Sequence, residues 1–226
     1  MVKKQDKTEG GIVAVEEALS RTERFIENNQ KILTIVIGAI VIVVLIFFGF
    51  KRFYMAPREQ EAKEQMYTAE AYFEMDSLQL ALNGDGMYPG FLDIIDDYSM
   101  TKGADLSNYY AGICYLRLGN FEEAIDHLKS FKGKDNILGP MAKGAIGDAY
   151  LEMNQTAKAA DYYIAAADLK DNEFTTPIFL MKAGWSYELL KDSKKALEVY
   201  ERIKYKYPTS AEAREIEKYI ARVKGS

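Results

Sequence analysis

The sequence predicts an all-α chain: an N-terminal amphipathic helix, one transmembrane helix, then an α-solenoid of repeated helix pairs. Three observations carry this. Ile32–Phe50 is a run of 19 residues without a charge. The residues ahead of it place apolar side chains at helical spacing. From residue 104 onward, small and aromatic residues recur at fixed offsets in three successive segments. The chain divides accordingly into a tail (1–31), an anchor (32–54), a helical linker with a degenerate repeat (55–103) and three repeats with a capping helix (104–226).

In the tail, residues 1–11 are polar and end in Gly10-Gly11, a flexible start. Ile12, Val15, Leu19, Thr22 and Ile26 then fall on one helical face with Phe25 beside them, opposite Glu16, Glu17, Arg21, Glu23, Arg24 and Glu27. Asn28-Asn29 is the expected stop. Such a helix lies at a lipid surface or docks on another membrane protein; its acid-rich polar face is unusual for a lipid-bound helix.

The run Ile32–Phe50 would make a helix of roughly 28 Å, close to the ~30 Å hydrocarbon thickness of a bilayer. Only a helix satisfies its backbone there. Lys31 precedes it, and Lys51, Arg52 and Tyr54 follow as interface anchors. The long start and long apolar core read as an uncleaved anchor rather than a secretory signal. Lys/Arg near the span (Arg21, Arg24 and Lys31 against Lys51, Arg52, Arg58 and Lys63) assign no orientation and lean slightly against a translocated domain.

Pro57 breaks or restarts the helix after the span. Arg58–Leu82 has strong helical propensity, Gly84, Gly86, Pro89 and Gly90 make a loop, and Phe91–Tyr98 reads as a short helix. Asp93, Asp96 and Asp97 read as a solvated acidic face. Beyond residue 104, Gly112, Gly147 and Gly184 lie 35 and then 37 residues apart. Each is followed at +3 by a tyrosine (Tyr115, Tyr150, Tyr187) and at +12 by an alanine (Ala124, Ala159, Ala196). At +16 stand Leu128, Tyr163 and Tyr200. Small residues on both helices of a pair let backbones approach while rings fill the space beside the contact.

Gly119-Asn120, Asn154-Gln155 and Lys191-Asp192-Ser193 punctuate the repeats, and Pro208 closes the third. The pattern resembles the tetratricopeptide repeat, a helix–turn–helix unit with a 34-residue period. The aromatic expected four residues before each glycine is instead Asn108, Lys143 and Leu180. Met66–Tyr98 reads as a fourth, degraded unit. Thr209 is placed to cap a last helix with Ile216, Tyr219, Ile220 and Val223 on one face. Glu212, Arg214, Glu215, Lys218 and Arg222 give it the polar outer face that a terminal repeat needs.

The formal net charge of −5 falls entirely beyond the span, which argues against nucleic-acid binding. The single cysteine, Cys114, excludes an intrachain disulfide and a zinc cluster and reads as a buried thiol. His127, the only histidine, reads as an exposed helix residue. No phosphate loop, metal spacing or nucleophile–base pair is present, so the expectation is a protein without catalysis or cofactor. Repeats of this kind bind through a concave face built from the first helix of each pair. Helical spacing around the packing glycines puts Tyr109, Ile113 and Arg117 there, with Met141, Asp148 and Glu152, then Met181, Trp185 and Glu188. This is a mixed apolar and acidic groove, in which Trp185 either faces a ligand or fills the core.

The order of elements also resembles a bacterial family. A tail holding VEEALSRTERFIENNQK (Val15–Lys31), an apolar span, then KRFY and repeats is similar to the single-span ancillary subunit of the Sec translocon. The resemblance implies an inner-membrane anchor, repeats in the periplasm, and partners that include the protein-conducting channel and a periplasmic chaperone of the peptidyl-prolyl isomerase type. Unfolded client chains are implied as a further partner. In that reading Ile12, Val15, Leu19, Phe25 and Ile26 dock the channel. The alternative is an envelope-assembly or cell-division scaffold unrelated to secretion.

Overall fold

The computed structural model describes residues 6–133 and 135–225; for 6–22 and 24 it describes the backbone alone. The chain divides into two units at Ala56/Pro57. The first is one long helix, α1 (Asp6–Gly49). Asn28-Asn29 does not stop it. The Asn29 amide donates to the Phe25 carbonyl one turn back (2.8 Å), and the Thr34 hydroxyl does the same to Gln30 (2.8 Å). Both side chains are satisfied inside the helix and so release no backbone group to end it. The side chains of Ile12, Val15 and Leu19 lie outside the described ones; Phe25 and Ile26 are exposed. The apolar segment is exposed as well, and one 18-residue stretch within it, long and apolar enough to cross a membrane, has none of its residues buried.

Phe50–Met55 is a wider π-helical turn in which the Ala56 N–H bonds to the Lys51 carbonyl, five residues back. It ends just before Pro57, which has no N–H and whose ring obstructs a regular turn behind it. Pro57 therefore restarts the helix, in the first turn of α2 (Ala56–Glu74).

The second unit is all-helical among its described residues. The stretch Arg58–Leu82 is not one helix: α2 gives way to α3 (Leu78–Asn83). Between them Asp76 adopts a left-handed backbone (φ 60°). The same turn recurs in three further pairs: α5 (Lys102–Leu118) with α6 (Phe121–Ser130), α7 (Leu138–Glu152) with α8 (Thr156–Leu169), and α9 (Thr175–Leu189) with α10 (Ser193–Lys206). Its left-handed residues are Gly119, Asn154 and Lys191. The sequence punctuation thus lies within each helix pair, not between pairs. Each turn closes with the same bond, from the amide of Ser77, Asn120, Gln155 or Asp192 to the carbonyl of Tyr72, Tyr115, Tyr150 or Tyr187 five residues back. That six-to-one bond is the Schellman closure, which satisfies orphan carbonyls at a helix end.

After α3, Gly84 (φ 73°) and the Asp85 carboxylate organise a loop, the latter accepting from the Met87 and Tyr88 amides and the Tyr72 hydroxyl. α4 (Phe91–Asp97) follows, its first turn closed by Asp93 accepting from the Gly90 amide. At the far end, Thr209 caps nothing. Ser210 accepts from the Ala213 amide, a short 3₁₀ turn intervenes at Glu212–Glu215, and α11 (Ile216–Lys224) buries Ile216, Ile220 and Val223.

Three apolar clusters run along the array. One joins α2–α5 around Met66, Leu82, Phe91, Ile94 and Cys114. A second joins α6 to α7 around Ile125, Leu128 and Ile146. The third joins α8–α11 around Tyr163, Phe179, Leu180, Tyr200 and Ile203.

Candidate functional site

Three glycines stand where the helices of a pair approach each other. A Cβ added to Gly112 would lie 2.5 Å from Leu128 Cγ, one on Gly147 2.6 Å from the Tyr163 ring, and one on Gly184 2.2 Å from the Tyr200 ring. Real Cβ atoms do not approach so closely, so glycine at these positions is what lets the ring or Leu128 seat. Ala124, Ala159 and Ala196 are fully buried opposite. Ala69 and Ala81, also fully buried, stand at the same two offsets from Tyr72 in α2 and α3.

Across the pairs, charge repeats with the period. Lys182 Nζ donates to both oxygens of Asp148 (2.7 and 2.8 Å), and Arg222 forks onto Glu188 (2.7 and 2.6 Å). Arg202 meets Asp168 at 2.6 Å. Each of these partners is 34 residues from its mate. A carboxylate on one helix is therefore met by a cation on the helix two further along the chain. Tyr163 and Tyr200 also donate to Asp148 and Glu188, tying core rings to this ladder. Burial and the neighbouring carboxylates push both phenols well up. Burial pushes Glu188 up too, but the bonds from Arg222 and Tyr200 outweigh it and hold its carboxyl below the usual range.

The nine residues expected in the groove are consequently dispersed. Arg117, Asp148 and Glu152 share one hollow of about 440 Å³ with Phe121 and Leu151, at the turn end of α5 and α7. Arg117 also pairs with Asp76 (2.7 Å) and lies over the Phe73 ring. Ile113 and Tyr109 are half-buried against the α6–α7 cluster, Tyr109 packing on Phe131 with ring centroids 5.4 Å apart. Met141 packs on the α8–α11 cluster, and Met181 is inside it, 5% exposed. Met181 is therefore unavailable to a ligand, because α9 is covered on this side as well. Trp185 is 45% exposed beside Tyr219, and Leu189 one turn on is 67% exposed. Asp148 and Glu188 are neutralised by Lys182 and Arg222, so the face is less acidic than the sequence implies. The missed residues, Lys182 and Arg222, had a signal: opposite charge one period from each acid.

His127 is half-buried, not exposed. Its Nδ1 lies 3.0 Å from Asn108 Oδ1 and its ring stacks on Tyr115. Burial holds the imidazole below its ordinary value, against the opposing pull of Asp126, Asp96 and Glu123. Cys114 is fully buried, and burial pushes its thiol up to about 12, leaving no thiolate at neutral pH. Among the described residues no group of three His, Cys, Asp or Glu is placed to hold a metal ion.

A tetratricopeptide repeat family model matches residues 107–135 and 179–210, the stretches holding α5–α6 and α9–α10. No curated protein matches the chain. The chain contains tetratricopeptide repeats, which mark a protein-binding module and are generally non-catalytic, together with, among the described residues, one helix apolar enough to span a membrane.

Proposed function

We propose that this chain is a single-pass membrane protein whose repeats bind other proteins beside the Sec translocation channel. The supporting observation is one chain that carries both an exposed apolar helix of membrane-spanning length and tetratricopeptide repeats. Exposed side chains from Ile32 to Phe50 need an apolar surrounding, and lipid supplies it. Tethering confines the repeats to a thin layer and raises their effective concentration toward any membrane partner.

The link to secretion rests on the resemblance of Val15–Lys31, the span and the repeats to the Sec ancillary subunit. In this reading the anchor sits in a bacterial inner membrane and the repeats in the periplasm. Phe25, Ile26 and the tail face holding Ile12, Val15 and Leu19 dock the channel. The binding face, with Trp185, Leu189 and the hollow of Arg117 and Glu152, takes a periplasmic chaperone or an emerging client. The array begins at α2: the turn at Asp76, Ala69 and Ala81 make α2–α3 its first, shortened unit.

The test is photocrosslinking from positions 25 and 185 in intact membranes. Channel subunits captured from position 25 and chaperone or client from position 185 are expected. Capture of envelope-assembly or division proteins alone would move the reading to a scaffold unrelated to secretion.

A further inference from the structure

A second hollow, of about 290 Å³, lies between α6 and α8 along one side of α7. It is separate from the hollow at the turn end. Its walls include Lys129, Lys132, Lys143, Phe131, Tyr162 and Leu169. Its wall differs from the equivalent place in α9. There Leu180, four residues before Gly184, is fully buried. The residue four before Gly147 is Lys143, which cannot be driven into an apolar slot, and one turn earlier Gly139 has no side chain.

No carboxylate meets the charge here. Among the described residues, none of the three ammonium groups pairs with a carboxylate, whereas Lys182, Lys204, Arg202 and Arg222 all do. No acidic residue lines the hollow. The nearby acids serve the backbone: Asp105 accepts from the Lys132 amide, and Asp135 from those of Ile137 and Leu138. Three lysines without a carboxylate partner therefore stand among aromatic and aliphatic walls, with Lys129 Nζ 6.0 Å from the Tyr150 ring centroid, in a chain of net charge −5.

The geometry points to a binding site for an acidic peptide segment of a partner protein, with carboxylates on the lysines and an apolar side chain between Phe131, Tyr162 and Leu169. Charge complementarity selects this occupant. Carboxylates supply what Lys129, Lys132 and Lys143 lack, and a ring or aliphatic chain covers apolar wall that water otherwise wets. The rest of the acidic surface repels a polyanion such as nucleic acid, whereas a short segment needs only the local field.

The test uses the full chain in nanodiscs of zwitterionic lipid. The probe is a fluorescein-labelled peptide with phenylalanine flanked on each side by two acidic residues, followed by anisotropy. Binding is expected, weakening as salt is raised. Lys143→Gln is expected to weaken it about tenfold, as loss of one charge-assisted bond does. Lys143→Arg should retain it. Lys143→Phe, which fills the hollow, should abolish it while the melting temperature is kept or raised. Absence of binding would overturn the proposal. So would equal binding of the amide version of the peptide, or unchanged binding by Lys143→Gln. Lysine-dependent capture of vesicles containing anionic lipid, with no peptide binding, would overturn it in favour of a lipid site. None of these outcomes depends on whether the channel is crosslinked.

Discussion

Gly184→Ala isolates the close approach on which each helix pair depends. The added Cβ would sit 2.2 Å from Tyr200 Cε1, 2.6 Å from Cζ and 2.9 Å from Cδ1. Ordinary carbon contacts are about 3.5–4 Å, so the ring has to retreat by more than an ångström. It has nowhere to go: Tyr200 is fully buried, and its hydroxyl is held by Glu188, itself held by Arg222. Overpacking costs about 1–3 kcal/mol. Losing a hydrogen bond to a charged group adds about 1.5–3 kcal/mol. Better helix propensity of alanine returns about 1 kcal/mol. The net is a destabilisation of roughly 1.5–5 kcal/mol, or roughly 3–20 °C in a domain of this size. Thermal unfolding followed by far-UV circular dichroism in non-ionic detergent reads it. Tyr200→Ala, which removes the ring and leaves no γ atom facing position 184, should make a following Gly184→Ala nearly neutral; leucine would not, since Leu128 crowds Gly112 in the same way. A Gly184→Ala variant that melts at or above the parent temperature would refute the packing argument.

Three other outcomes are expected. Lys191 holds a left-handed backbone with a Cβ, so Lys191→Gly should raise the melting temperature by a few degrees, a gain of about 1 kcal/mol. Burial lowers the His127 pKa, so the unfolded chain takes up the proton first. Stability is then full above the ordinary value of 6.5 and declines as pH falls from there toward the folded value. Urea midpoints at pH 7.5 and 5.5 should show this for the parent and a smaller difference for His127→Gln. Replacing Ile40 and Val44 together by arginine should cost about 5–7 kcal/mol of insertion. The variant should shift from carbonate-washed membranes to the soluble or degraded fraction, and full retention would count against the span.

Much of the architecture is written in short-range pattern. A helix apolar enough to cross a membrane needs only an uncharged run of sufficient length; in lipid such a backbone would find no partner outside itself, which selects a helix. The helix pairs follow from Gly112, Gly147 and Gly184 with their tyrosines and alanines, since close approach and helix geometry are both local. The turn residues Gly119, Asn154 and Lys191 belong to the same class. The break at Asp76 is less legible, because no glycine or proline marks it; Asp76 takes the left-handed backbone and the Ser77–Tyr72 closure follows it.

Neighbours decided the rest. Whether a half-apolar helix face is groove or core depends on what packs against it. α9 is covered on several sides, which sends Met181 inward and leaves Trp185 partly out. Asp148 and Glu188 look like ligand-facing acids until the next unit brings Lys182 and Arg222 onto them, since an ion pair is a property of two positions and not of one. The same holds for the lysines at 129, 132 and 143: scattered over two helices and a loop in the chain, they become one positive hollow only when α6, α7 and α8 are stacked.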